Sequence, residues 1–137
     1  MKHINSKIRC GGLLLGLAMA SYASAADVVV VMAPSASPLT KEQVASVYLG
    51  RNTDLKPVDL PDSSPVRADF YKKATDRDAA QVKAVWARLT FTGGGQPPKE
   101  MPDAAAVKKA VAADPKAVGY IDKADVDASV KVVLSLN

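Results

Sequence analysis

An apolar β-branched run, Val28-Val29-Val30-Val31, stops at Ala33-Pro34 and gives way to a helix start, and this junction constrains the fold more than any other stretch. The run reads as a buried strand. A Ser/Pro loop follows, and Thr40 then opens a helix that closes on Gly50. Thr40 can accept from the first turn, while Gln43, three residues on, can return a bond to the Thr40 backbone N–H. Val44, Val47 and Tyr48 fall on one face at helical spacing. A buried strand feeding an amphipathic helix is one unit of an α/β domain.

The segment before this unit reads as an export signal and takes no part in the fold argument. Lys2, Lys7 and Arg9 form a basic n-region, Gly11 to Ala20 is short and apolar, and Ala23-Ser24-Ala25 offers a cleavage site. The apolar run is too short for a membrane span. Arg9 directly before Cys10 does not suit a lipidation site, so a soluble periplasmic product is expected. Three of the 18 basic residues and none of the 14 acidic ones lie in residues 1–25, which leaves a formal charge of +1. That is no basis for nucleic-acid or membrane-surface binding. The same cut removes Cys10 and His3, the chain's one cysteine and one histidine. Triads built on histidine or cysteine are thereby excluded, and zinc, copper and haem sites are not expected. The remaining residues, 26–137, suffice for one domain with one core.

Further along, Lys56 to Leu60 reads as a short strand, with Val58 and Leu60 alternating. Pro61-Asp62-Ser63-Ser64-Pro65 then makes a turn and a helix start, with Ser64 as N-cap and Pro65 at the first helical position. This helix, roughly Pro65 to Ala74, presents Val66, Phe70 and Tyr71. Another, about Ala79 to Leu89, presents Val82, Val85, Trp86 and Leu89. A loop from Phe91 through Thr92-Gly93-Gly94-Gly95 to Pro97-Pro98 follows. Asp103 caps a helix carrying Val107, Ala110 and Val111, which Asp114-Pro115 stops. Val118 to Ile121 and Val130 to Leu136 read as strands. The order β-α-β-α-α-α-β-β predicts a small layered α/β domain.

Two places carry the residue types an anion site needs. The first is Ser63, Ser64 and Arg67, at a helix N-terminus whose free N–H groups and partial positive charge favour anions. The plainer alternative is that Ser64 only caps the helix and Arg67 lies in solvent. The second is Thr92, Gly93 and Gly94, where consecutive glycines can turn several N–H groups towards one anion. No P-loop lysine follows, and a mobile connection explains the glycines equally well. Asp122, Asp125 and Asp127 lack the glycine and distal glutamate of a calcium loop and read as a solvated turn. Trp86 reads as a packing residue, Gly119 as a place where another backbone comes close, and Tyr120 as facing the core or, alternatively, a ligand cleft, with core packing expected.

Four segments, in order, resemble the periplasmic phosphate-binding proteins of ABC transporters. They are the strand with its Leu39-Thr40 to Leu49-Gly50 helix, the Ser64-to-Phe70 helix start, Trp86 to Gly93, and Val118 to Ile121. The resemblance covers Val28 to about Leu136 and implies a single lobe of a type II periplasmic binding protein. Such a lobe has a small mixed sheet of about four strands flanked by helices. It also implies binding of inorganic phosphate or a similar oxyanion in ABC-type transport or sensing, for which the two residue groups above, Ser63, Ser64 and Arg67 with Thr92, Gly93 and Gly94, are the candidates. No enzyme, metal or cofactor is implied. Leu60, Pro65 and Val66 stand where the family's pattern has arginine, glycine and threonine, and only Ser64 carries over directly. A lone lobe leaves an anion on an open face, with affinity near the millimolar level, about −4 kcal/mol. The alternative on the same fold is a protein-interaction module with a decayed anion site. Its partner is another envelope protein or an ABC permease, and an exposed apolar patch on the cleft face is its mark.

Overall fold

The computed structural model describes residues 27–136, so the expected export signal lies outside the described residues. The elements follow the order β1 (Val28–Met32), α1 (Lys41–Tyr48), β2 (Lys56–Asp59), α2 (Pro65–Thr75), α3 (Ala79–Phe91), β3 (Lys99–Glu100), α4 (Ala104–Ala113), β4 (Ala117–Asp122) and β5 (Lys131–Ser135). A 3₁₀ turn at Lys123–Asp125 separates β4 from β5. The strands form one mixed sheet ordered β3-β2-β4-β1-β5. Strands β3, β2 and β4 run parallel, and β1 is antiparallel to both β4 and β5.

The valine run becomes β1, between β4 and β5, with every residue buried. Burial on both faces explains why this strand shows no polar alternation. Helix α4 covers one face: a Cβ built at Gly119 would lie 2.5 Å from Val107 Cγ1 of that helix. Tyr120, the next residue, faces the other way and stacks on Phe70 of α2, with ring centroids 3.9 Å apart. Tyr48 of α1 meets the same pair edge-on, 4.6 Å from Phe70 and 5.9 Å from Tyr120. The result is three layers, with α4 on one side and α1, α2 and α3 on the other.

The caps follow sequence chemistry. Thr40 and Gln43 form the expected reciprocal capping box on α1, and Asp78 with Gln81 forms a second on α3. Ser64 caps α2, with Pro65 opening the helix.

The structure adds three corrections of detail. A fifth strand, β3, is only two residues long and carries no periodic signal. Phe91 closes α3 and does not begin the loop. Gly119 makes room for the side chains of Val107 and Val58, not for a neighbouring backbone.

Candidate functional site

Strands β2 and β4 pair at Lys56↔Ala117 and Pro57↔Val118. Beyond that point, tyrosine hydroxyls bridge the strands. Tyr48 Oη donates to Val58 O at 2.7 Å and sits 3.2 Å from Val118 O. One residue on, the Leu60 N–H donates to Tyr120 Oη at 3.2 Å. The crevice therefore lies at the carboxyl ends of parallel strands, where α/β sheets commonly bind ligands.

Asp59, the last residue of β2, lies at the bottom of this crevice and is 4% exposed. Its carboxylate accepts from the hydroxyls of Tyr71 and Tyr120, and from the Leu60 N–H at 2.9 Å. Arg67, 9% exposed, brings Nη2 to 3.8 Å from Asp59 Oδ2. Its Nη1 donates to Leu60 O at 2.9 Å and to Asp62 Oδ1 at 3.0 Å. The guanidinium also lies over the Tyr71 ring, 5.5 Å from its centroid. Burial works against the Arg67 charge, but the neighbouring Asp59 and Asp62 carboxylates outweigh it and raise the pKa above its ordinary value. Burial first, and then the Asp59 charge and its hydrogen bonds, push the Tyr71 and Tyr120 hydroxyls far above the usual tyrosine range.

Above this polar floor is a cleft of about 540 Å³, walled by Val82, Trp86 and Ala87 of α3 and by Pro97 and Pro98. Phe91 stands on its rim, 92% exposed. Trp86, the chain's one tryptophan, donates Nε1–H to Tyr48 O at 2.8 Å. Its polar edge is thereby tied to the end of α1 while the ring lines the cleft.

The expected site residues divide between two places. Ser64 accepts from the Arg67 N–H at 3.4 Å, as the helix cap requires. Ser63 is exposed beside it in the turn before α2. Arg67 is near these serines but turned inward, onto carboxylates, where a solvent position was the simple alternative. Thr92, Gly93 and Gly94 end α3 instead of forming an open nest. Gly94 N–H donates to Leu89 O at 2.7 Å and Gly93 N–H to Thr90 O at 3.2 Å. Thr92 Oγ1 lies 3.1 Å from both Arg88 O and Leu89 O. Gly93, with φ +76°, supplies the left-handed residue of this Schellman-type ending. Two N–H groups expected for an anion are thus used by the helix C-terminus.

Sequence reasoning passed over Asp59 and the inward turn of Arg67. The available signal was a carboxylate inside an apolar strand, Val58-Asp59-Leu60, of a sheet covered on both faces. Elsewhere, Asp122 Oδ1 accepts from the Ala124 N–H at 3.0 Å, and Asp127 accepts from Lys108 Nζ at 2.8 Å and from Ser129. These aspartates do turn and ion-pair work, and Lys108 with Ser129 lowers the Asp127 pKa.

Solved structures place this arrangement in a known architecture. An ABC-type phosphate transport receptor from Vibrio cholerae superposes with a TM-score of 0.61 at 20% identity, over 79% of this chain and 45% of that one. A phosphate ABC transporter substrate-binding protein from Clostridium perfringens, solved with bound phosphate, gives 0.62 at 19% identity, over 79% and 44%. PstS from Borrelia burgdorferi gives 0.57 at 11% identity, over 79% and 46%. The fold is that of a phosphate-receptor lobe. The chain spans less than half the length of these proteins, and identities this low establish the fold alone. No protein-family model and no curated protein matches the chain. Among the described residues, no helix of this phosphate-receptor-type lobe is long and apolar enough to cross a membrane.

Proposed function

We propose that this chain is a non-enzymatic binding module of the bacterial periplasm, built on one phosphate-receptor lobe and serving phosphate transport or sensing. Its cleft takes an apolar segment of an envelope protein in place of a free oxyanion. The observation that carries this reading is the state of the cations at the cleft, Arg67 on its floor and Lys83 on its wall, the latter paired with Asp62 at 3.3 Å. Arg67 is engaged by Asp59, Asp62 and Leu60 O, while the wall above it is largely apolar, through Val82, Trp86, Ala87, Pro97 and Pro98, and ends at the exposed Phe91. An incoming phosphate would meet two carboxylates beside a guanidinium that is already neutralised, and Coulomb repulsion disfavours that approach. An apolar segment would instead bury Phe91, Trp86 and Pro97. A basic residue on that segment complements Glu100 at the cleft margin.

A second reading has one specific support. Ser63 is exposed at the start of α2, next to the Ser64 cap, and the Clostridium perfringens neighbour was solved with phosphate bound. In this reading Ser63 and Ser64 hold an oxyanion directly.

One pair of measurements separates the two. NMR titration of the secreted protein with inorganic phosphate at low salt is expected to give no saturable shift at several millimolar. A photo-crosslinking residue at position 91 is expected to trap one envelope protein in cells, and Ala87→Arg, which fills the cleft, to abolish the trapping. Saturable shifts at Ser63, Ser64 and Arg67 would overturn the first reading in favour of the second.

A further inference from the structure

The Asp59 carboxylate is surrounded as a bound anion would be. Two hydroxyls, from Tyr71 and Tyr120, donate to it, the Leu60 N–H donates at 2.9 Å, and the Arg67 guanidinium lies 3.8 Å away. These donors come from α2, β4 and the end of β2, three elements that meet only in the folded protein. Such convergence on one carboxylate is the arrangement by which proteins recognise small oxyanions.

The fit to Arg67 is incomplete. Among the described residues, Arg67 Nε is the one buried side-chain nitrogen or oxygen without a hydrogen-bond partner. Buried N–H groups are rarely left so, because each costs its full desolvation. A carboxylate that accepted from Nε and Nη2 together would form the usual two-bond pair with arginine. Asp59 does not reach it, since its short side chain is tethered to β2 and held by two tyrosines. The guanidinium therefore presents a fork to a carboxylate that only partly occupies it.

We propose that Asp59 is a built-in surrogate anion, a specificity residue that fills a latent oxyanion pocket and closes the lobe to free phosphate and carboxylates. This rests on the reading of the cleft as a protein-docking surface, and it supplies the reason such a lobe ignores free anions. Removing the side chain leaves a void lined by two tyrosine hydroxyls, one N–H and an arginine with a free fork. Asp59 lines the cleft, so the void opens to solvent. Formate matches the lost carboxylate in size and charge, and phosphate offers the same oxygens with more reach.

The experiment compares the wild-type protein with Asp59→Ala and Asp59→Ser by thermal unfolding and NMR. Sodium formate and sodium phosphate are titrated against sodium chloride at matched ionic strength. The wild type is expected to show no anion-specific change. Asp59→Ala, less stable in chloride, is expected to regain midpoint temperature saturably with formate, half-maximally at about millimolar concentration, as ligand linkage requires. Asp59→Ser keeps a hydrogen-bonding group at the end of β2, removes the charge and leaves room beside Arg67, and should stay folded while gaining phosphate-dependent shifts at Arg67 Nε. A folded Asp59→Ala that responds to formate no more than to chloride overturns the proposal. If Asp59→Ala stays unfolded even in formate, Asp59→Ser decides, and its silence towards phosphate overturns it. Phosphate binding by the wild type would refute the protein-docking reading as well, whereas silent variants beside a silent wild type refute only the surrogate-anion proposal.

Discussion

Arg67 and Gly119 decide, one residue each, what the two faces of the sheet can hold. Arg67 puts a cation inside the domain and stabilises it with Asp59 and Asp62, so its charge is structural before it is available to any ligand. Replacing it by alanine leaves Asp59 without its counter-charge. Breaking a pair of this kind costs about 3 kcal/mol or more, and urea unfolding of Arg67→Ala should show a loss of that size. On the opposite face, Gly119 lets α4 sit against β4. A Cβ there would lie 2.5 Å from Val107 Cγ1 and 2.9 Å from Val58 Cγ2. Both neighbours are buried β-branched side chains with little freedom to move. Gly119→Ala is therefore expected to lower stability by about 1–3 kcal/mol through overpacking. A substitution that leaves the denaturant midpoint unchanged would mean that α4 packs less tightly than described.

At the scale of elements, helix ends carry more of the specification than helix propensities do. Helix α1 is only eight residues long, below the length at which an isolated helix is stable. Its start is fixed by the Thr40–Gln43 box, with bonds of 3.1 Å and 2.8 Å. Thr40→Ala removes one of these and should cost about 1 kcal/mol, read as a lower denaturant midpoint with an unchanged slope. Helix α3 ends in the opposite chemistry, with Gly93 at φ +76° and open space around its Cα. Gly93→Ala meets no clash there, so its cost is the left-handed backbone alone, about 1 kcal/mol. That ending also sets Phe91 on the cleft rim, one helical residue before the chain turns. The same substitution should therefore weaken the crosslinking expected from position 91.

The whole molecule has one core whose polar centre is made of tyrosines. Tyr48, Tyr71 and Tyr120, all buried, are the tyrosines among the described residues. Burial above all, and then the Asp59 carboxylate beside Tyr71 and Tyr120 and the surroundings Tyr48 shares with them, raise all three pKa values in the folded state. Unfolded tyrosines ionise near pH 10. Above that pH the unfolded chain releases protons that the native protein keeps, so stability must fall as pH rises. Below it both states are protonated, and this contribution is present in full. Alkaline titration should therefore show no tyrosinate absorbance from these residues until the protein unfolds, with absorbance and far-UV circular dichroism changing together. A native-state titration near pH 10 would show that the hydroxyls are accessible and that the polar centre is open.

Much of this architecture is written locally. The valine run, the Thr40, Ser64, Asp78 and Asp103 caps, the Asp114-Pro115 stop and the glycine after α3 each act over a few residues. Their elements can be read in order from the chain because hydrogen-bond periodicity and capping are short-range effects. The chain order of motifs also suffices to indicate a phosphate-receptor-type lobe, the fold that the solved structures share. Strand β3 escaped that reading, since a two-residue strand exists only through its pairing with β2. The site escaped it for a related reason. Whether Arg67 faces water or Asp59 depends on a contact across eight residues, and whether Asp59 is buried depends on helices covering both faces of the sheet. Sequence alone thus determined where strands and helices begin and end. Only the tertiary structure decided which charges neutralise each other, because burial and electrostatic pairing are properties of elements brought together in space.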